Sequence, residues 1–251
     1  MRSTPHGPAP DQRPQPSWAG PRLGSRQQSG ESLLLPTIAV AVAAVVYGLL
    51  PDPLLLLPRL LIPGIEGVLL VALVATHRWR TPALTRWSRV LSIVLSLIVI
   101  GTNLVALGLM VSSLGSDAPG PAMLLGAMQV WVTGIIGFAL LYWELDRGGP
   151  VARHTWPREV VPLADWRFSQ DENDDAVTEV ADGASKKAAW MPHFIDYAYL
   201  SLTNSSAFSP TDTMPLSARA KALMGLQGTA ALLTSLLVVA RAVGSMSGGG
   251  G

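Results

Sequence analysis

The sequence predicts an all-α fold, a polytopic bundle of transmembrane helices with five to six spans and a re-entrant loop before the last helix. Three observations predict it. The charges are few, 14% of 251 residues, and they are clustered. Four stretches without any charged residue, 32–51, 90–116, 118–143 and 222–240, are each long enough to cross a hydrocarbon core of about 30 Å at about 1.5 Å rise per residue. A short half-polar segment and a hydroxyl-rich loop then precede the last apolar run, and irregular backbone is tolerated at membrane depth only where protein or water covers it.

Residues 1–31 form a basic tail rich in Pro, Gly, Ser, Gln and Arg. It cannot bury enough apolar surface to offset its ordering entropy, so we expect it to be disordered. Its apolar run starts too late for a cleavable signal peptide. Residues 32–145 hold four predicted spans. The first, about 33–50, ends at Pro51-Asp52-Pro53, because the residue before a proline is disfavoured in a helix. The second, about 54–76, is interrupted by Pro58 and Pro63 and carries Arg59 and Glu66. Seven residues apart, these two share a helix face and form an expected intramembrane charge pair; the plainer readings are a structural ion pair or an Arg59 that snorkels to the interface.

The loop 77–89 carries four arginines and two tryptophans beside two span ends. That pattern places it on the cytoplasmic side, with the tryptophans at the interface. The third span, about 90–114, carries Thr102 and Asn103; the fourth, about 122–143, carries Gln129 and Thr133 with Gly126, Gly134 and Gly137. The glycines permit close helix approach, and the polar groups can bond across helices. Tyr142 and Trp143 are expected at the membrane boundary.

Residues 146–189 read as a polar acidic loop. Asp171, Asn173, Asp175 and Asp182 fall on positions of a calcium-loop pattern, but Ala176 stands where that loop needs glycine, so a solvated acidic loop is the expectation. No metal or catalytic site, no cofactor and no enzymatic activity are expected: cysteine is absent, the four histidines are dispersed, and no nucleophile or acid–base constellation appears. A net charge of +1 gives no case for nucleic acid.

The final segment, 190–246, begins with Trp190-Met-Pro-His-Phe-Ile-Asp and ends with an apolar helix from about residue 216, followed by a flexible tail at 247–251. Within it, Tyr199-Leu-Ser-Leu-Thr-Asn-Ser-Ser-Ala-Phe-Ser-Pro-Thr-Asp-Thr-Met-Pro resembles the pore segment of the two-transmembrane-helix, potassium-channel-like family. It also resembles bacterial polytopic membrane proteins, uncharacterised as a class, that carry a similar Ala-Phe-Ser-Pro-Thr-Asp stretch. The channel resemblance implies that Thr203 stands at a filter entrance, that Ala207-Phe208-Ser209 replace the family's Gly-aromatic-Gly, and that Asp212 is the acid after the filter. Thr203, Ser206, Phe208, Ser209 and Asp212 are then the pore-lining residues of a homo-oligomer passing a monovalent cation. Both filter glycines are replaced and Pro210-Thr211 is inserted, which argues against a potassium-selective filter built from backbone carbonyls.

Read from the residues alone, the hydroxyls and amides of 203–213 need partners or water; a water-lined path supplies them, and an exterior loop does so equally. Two functions follow: a cation-conducting, channel-like protein of the bacterial inner membrane, multi-pass, or a non-conducting scaffold or partner-binding protein in the same bilayer. Arginine placement puts the amino terminus and the acidic loop inside. A channel's inner helix would instead start outside, which requires residues 190–206 to cross completely.

Overall fold

The computed structural model describes residues 31–32, 34–49, 64, 67–68, 71, 82–112, 120–206 and 212–247. The tail 1–30, most of the second span with Arg59 and Glu66, and the residues Phe208 and Ser209 lie outside the described residues.

Among the described residues seven α-helices follow in chain order: α1 (Leu34–Gly48), α2 (Pro82–Ser112), α3 (Gly120–Leu145), α4 (Pro150–Thr155), α5 (Thr178–Ala181), α6 (Phe194–Ser206) and α7 (Ala218–Ser247). A two-stranded antiparallel ribbon, β1 (Trp166–Arg167) with β2 (Met214–Pro215), pairs Trp166 with Pro215 and Arg167 with Met214. Among the described residues, three helical stretches are long and apolar enough to cross a membrane: Trp87–Ser112, Met123–Gly148 and Ala218–Arg241. The shorter α1 is apolar throughout.

Helix α3 is the centre, packed against α1, α2, α6 and α7. Its last turns are covered on every side: from Phe138 to Trp143 no residue is more than 3 % exposed. The outer helices keep an apolar face uncovered, with Val90, Val94 and Leu97 on α2 and Leu226, Leu233 and Leu236 on α7. That distribution suits a bundle whose outer surface meets lipid, where helix association rests on close packing and polar bonds rather than on a hydrophobic drive.

The α2–α3 contact shows both devices. A Cβ at Gly137 would lie 3.0 Å from side-chain carbons of Val99 and Ile100, so the missing side chain sets the approach. Asn103 Nδ2 donates to the Val130 carbonyl at 2.6 Å and to Thr133 Oγ1 at 2.5 Å. Gln129 on α3 donates to the Leu49 carbonyl past the end of α1.

Residues 146–193 fold over one end of the bundle. Arg147, Gly148 and Gly149 all have positive φ and turn the chain sharply out of α3. Gly148 is required there on two counts, φ of 80° and a notional Cβ only 2.9 Å from Pro162 Cγ. Tyr142 and Trp143, expected at a lipid–water boundary, are instead buried at 0 and 1 % exposure beneath this cap. Tyr142 packs against Trp166 of β1 with the ring planes tilted by 47°, and Trp143 meets Phe194 edge-on.

Candidate functional site

Two buried polar assemblies join the elements, one inside the cap and one inside the bundle. In the cap, Asp146 is fully buried at the end of α3. Its Oδ1 accepts from the backbone N–H of Asp165 at 2.7 Å; its Oδ2 accepts from the Tyr197 phenol at 2.6 Å and from Arg147 at 2.9 Å. Arg147 reaches on to Asp171, which also accepts from the Ser185 hydroxyl and the Phe168 N–H. Asp165 receives a two-nitrogen grip from Arg219 and the Ser217 hydroxyl at 2.5 Å. Ser217 Oγ in turn accepts from Ala220 N–H, an N-cap that starts α7. Such charge-assisted bonds hold buried carboxylates that would otherwise be costly.

The segment expected to be a solvated acidic loop is therefore divided. Asp165 and Asp171 are built into the fold, whereas Glu172, Asp175, Glu179 and Asp182 are exposed. Lys186 pairs with Asp174 at the surface, which raises the lysine pKa and lowers the aspartate's. Asp171 spends its carboxylate on Arg147, Ser185 and Phe168, and among the described residues no group of three or more potential metal ligands stands together.

Glu31 docks on the same cap. It accepts from Phe194 N–H at 2.5 Å, from Trp143 Nε1 at 2.9 Å and from Arg153 at 3.2 Å, with His154 Nε2 at 3.3 Å. Burial would raise its pKa, but the His154 hydrogen bond, the Arg153 charge and the two N–H donors outweigh burial and lower it. Arg153 is wholly buried, bonded to the carbonyls of Trp143 and Pro192 and lying over the Tyr197 ring.

Inside the bundle the organiser is Gln227 of α7, 2 % exposed. Its Oε1 accepts from the Tyr142 phenol at 2.6 Å and from Asn204 Nδ2 at 3.0 Å. Its Nε2 donates to Ser201 Oγ at 2.7 Å and Ser205 Oγ at 2.8 Å. Ser201 donates onward to the Ile135 carbonyl of α3. A cavity of about 20 Å³, room for one water, lies beside this network between Asn103, Trp131, Ser205, Gln227 and Thr234.

Three of the five expected pore residues, Thr203, Ser206 and Asp212, are among the described residues. Thr203 and Ser206 belong to α6, not to a loop, and their hydroxyls bond back to carbonyls of their own helix, Tyr199 and Leu200 for the first and Leu202 for the second. Asp212 is exposed next to the cap. Phe208 and Ser209, like the Arg59–Glu66 pair, lie outside the described residues. The structure thus brings together Ser201, Asn204 and Ser205, neighbours of the expected residues. It adds Gln227, which the sequence marks only as a single amide in an uncharged apolar run.

Helix α6 begins at the cap, where Phe194 meets Trp143, and its last turn reaches Trp131, Met224 and Gln227. The chain is back at the cap by Met214, paired with Arg167, and Leu216 N–H donates to the Asp165 carbonyl. Both ends of 194–216 consequently stand at the same end of the bundle.

No family model matches the chain, and no curated protein or solved structure matches it. Fold and site define the class only as far as a helical bundle with three apolar helices able to cross a membrane.

Proposed function

We propose that this is a non-conducting integral membrane protein whose folded cap is a partner-binding module on the cytoplasmic side. One observation carries the reading: Ser201, Asn204 and Ser205 of α6 are bonded to Gln227 and α3, and Thr203 and Ser206 to their own backbone, whereas Asp175, Glu179 and Asp182 stand exposed on the cap. A face of that charge suits a basic segment of a partner. We further assign five spans plus a re-entrant α6. That helices α1 and α2 both start at the cap end, through Glu31 and Arg89, supports this count. The arginines of 77–89 put that end inside.

Neutralising Asp175, Glu179 and Asp182 together should abolish recovery of a partner in pull-down from membranes, while purified protein in liposomes passes no cation. Cation flux that drops in Asp212→Asn would overturn this reading in favour of an oligomeric, channel-like pore.

A further inference from the structure

Where α2 starts beside the end of α3, a cavity of about 200 Å³ opens at the rim of the bundle, lined by Ser88, Arg89, Glu144, Gly149, Val151 and Trp156 with their neighbours. Glu144 is 3 % exposed, and its Oε2 has no hydrogen-bond partner. Arg89 Nη2 donates to the Glu144 carbonyl at 3.2 Å, but its buried Nε also has no partner. The two atoms share one wall of the cavity. A Cβ at Gly149, whose φ is 91°, would lie 3.3 Å from Arg89 Nε and 3.4 Å from Glu144 Oε2. A cationic donor and a carboxyl acceptor are thus held side by side with bonding capacity left over, an expensive arrangement in a low-dielectric setting unless something completes it.

We propose that this cavity binds the headgroup of an amine-bearing phospholipid, the phosphate toward Arg89 and the ammonium toward Glu144. The volume falls below the about 300–1,000 Å³ of pockets that enclose whole small molecules, so a head enters and its tails remain outside. The surroundings fit tails: Trp87, Val90, Val151 and Trp156 are exposed near the rim, and Val94 and Leu97 continue the exposed apolar face of α2. Tryptophans at this level are typical of the membrane interface. A quaternary choline head lacks the N–H that Glu144 Oε2 would accept, so the site discriminates between the two zwitterionic headgroups.

The test uses the full chain, purified and delipidated in detergent, with the thermal unfolding midpoint followed during lipid titration. Phosphatidylethanolamine should protect at about tenfold lower concentration than phosphatidylcholine, the worth of a charge-assisted hydrogen bond. Glu144→Gln should reduce that preference, and Val151→Trp, which crowds the mouth and leaves both side chains in place, should abolish it. Equal protection by the two lipids, or a preference that survives Val151→Trp, overturns the proposal. Protection by free phosphoethanolamine at the concentrations effective for the lipid assigns the site to a soluble ligand and overturns the lipid source.

Discussion

The Tyr142 phenol on α3 donates to Gln227 Oε1 on α7 at 2.6 Å, and the amide of the same glutamine donates to Ser201 and Ser205 on α6. One side chain therefore ties three helices together at a depth where water is scarce. Gln227→Leu removes the acceptor of the Tyr142 phenol and one partner each of Ser201, Ser205 and Asn204, and should cost about 2 kcal/mol, given about 1 kcal/mol or less for each intramembrane hydrogen bond. Tyr142→Phe removes one bond only and should cost about 1 kcal/mol or less. Thermal or denaturant unfolding in detergent measures both. Should Gln227→Leu prove as stable as the parent, Gln227 does not organise the three helices.

Asp146 gives a second prediction. Its carboxylate positions β1 through Asp165 N–H, α6 through Tyr197 and the cap turn through Arg147. Asp146→Ala leaves Arg147 with only Asp171 and two buried donors with no acceptor, so about 3 kcal/mol or more should be lost. Because the contacts lie between cap and bundle, the loss should appear first as protease cleavage within 165–190. Asp146→Asn retains one carbonyl acceptor and should be cleaved more slowly; identical rates in the two variants would argue against a specific role for Oδ1.

The long helices were legible because an uncharged run of about 19 residues has few other uses. The cross-helix role of Asn103 and the close approach at Gly137 were legible for a similar reason, since polar and small residues inside a span have to face protein. The cap was not legible. Its folding rests on Asp146 with Asp165 and on Asp165 with Arg219, pairs separated by 19 and 54 residues, which no local pattern announces. Asp165 and Asp171 look in sequence like the exposed acids around them. The start of the hydroxyl-rich run, residues 203–206, was expected in a loop because Ser, Thr and Asn favour turns; here Asn204 and Ser205 stay helical because Gln227 and α7 supply partners, while Thr203 and Ser206 bond to their own backbone.

Glu31 makes stability depend on acidity. Its pKa in the folded protein lies below the ordinary 4.5. Its contribution is accordingly complete above that ordinary value and is lost as pH falls through the folded value. His154, Arg153, His193 and Asp196 surround it, and burial raises the Asp196 pKa, which acts in the opposite direction. The variant comparison separates the two. Glu31→Gln should lower the unfolding midpoint at pH 7, and the gap from the parent should shrink as the pH is taken below 4.5. A gap that stays constant from pH 7 to pH 3 would show that the carboxylate charge is not what holds Phe194, Trp143 and Arg153.

The proposed sidedness rests on the position of α6. Because both ends of 194–216 stand at the cap, α7 leaves the cap at Ala218 and runs the length of the bundle to its opposite end, where Leu237 packs with Met110 and Ala127. On the proposed reading the cap and the end of α7 lie on opposite faces of the bilayer, with the cap inside by the arginine rule. A channel-type arrangement with a fully crossing 190–206 segment would instead place both on the same face. The chain has no cysteine, so single thiols report cleanly. Asn173→Cys should react with a membrane-impermeant reagent only after permeabilisation, and Ser247→Cys should react in intact cells. Labelling of both from the same side would mean that α6 crosses completely, and the re-entrant assignment would fall with it.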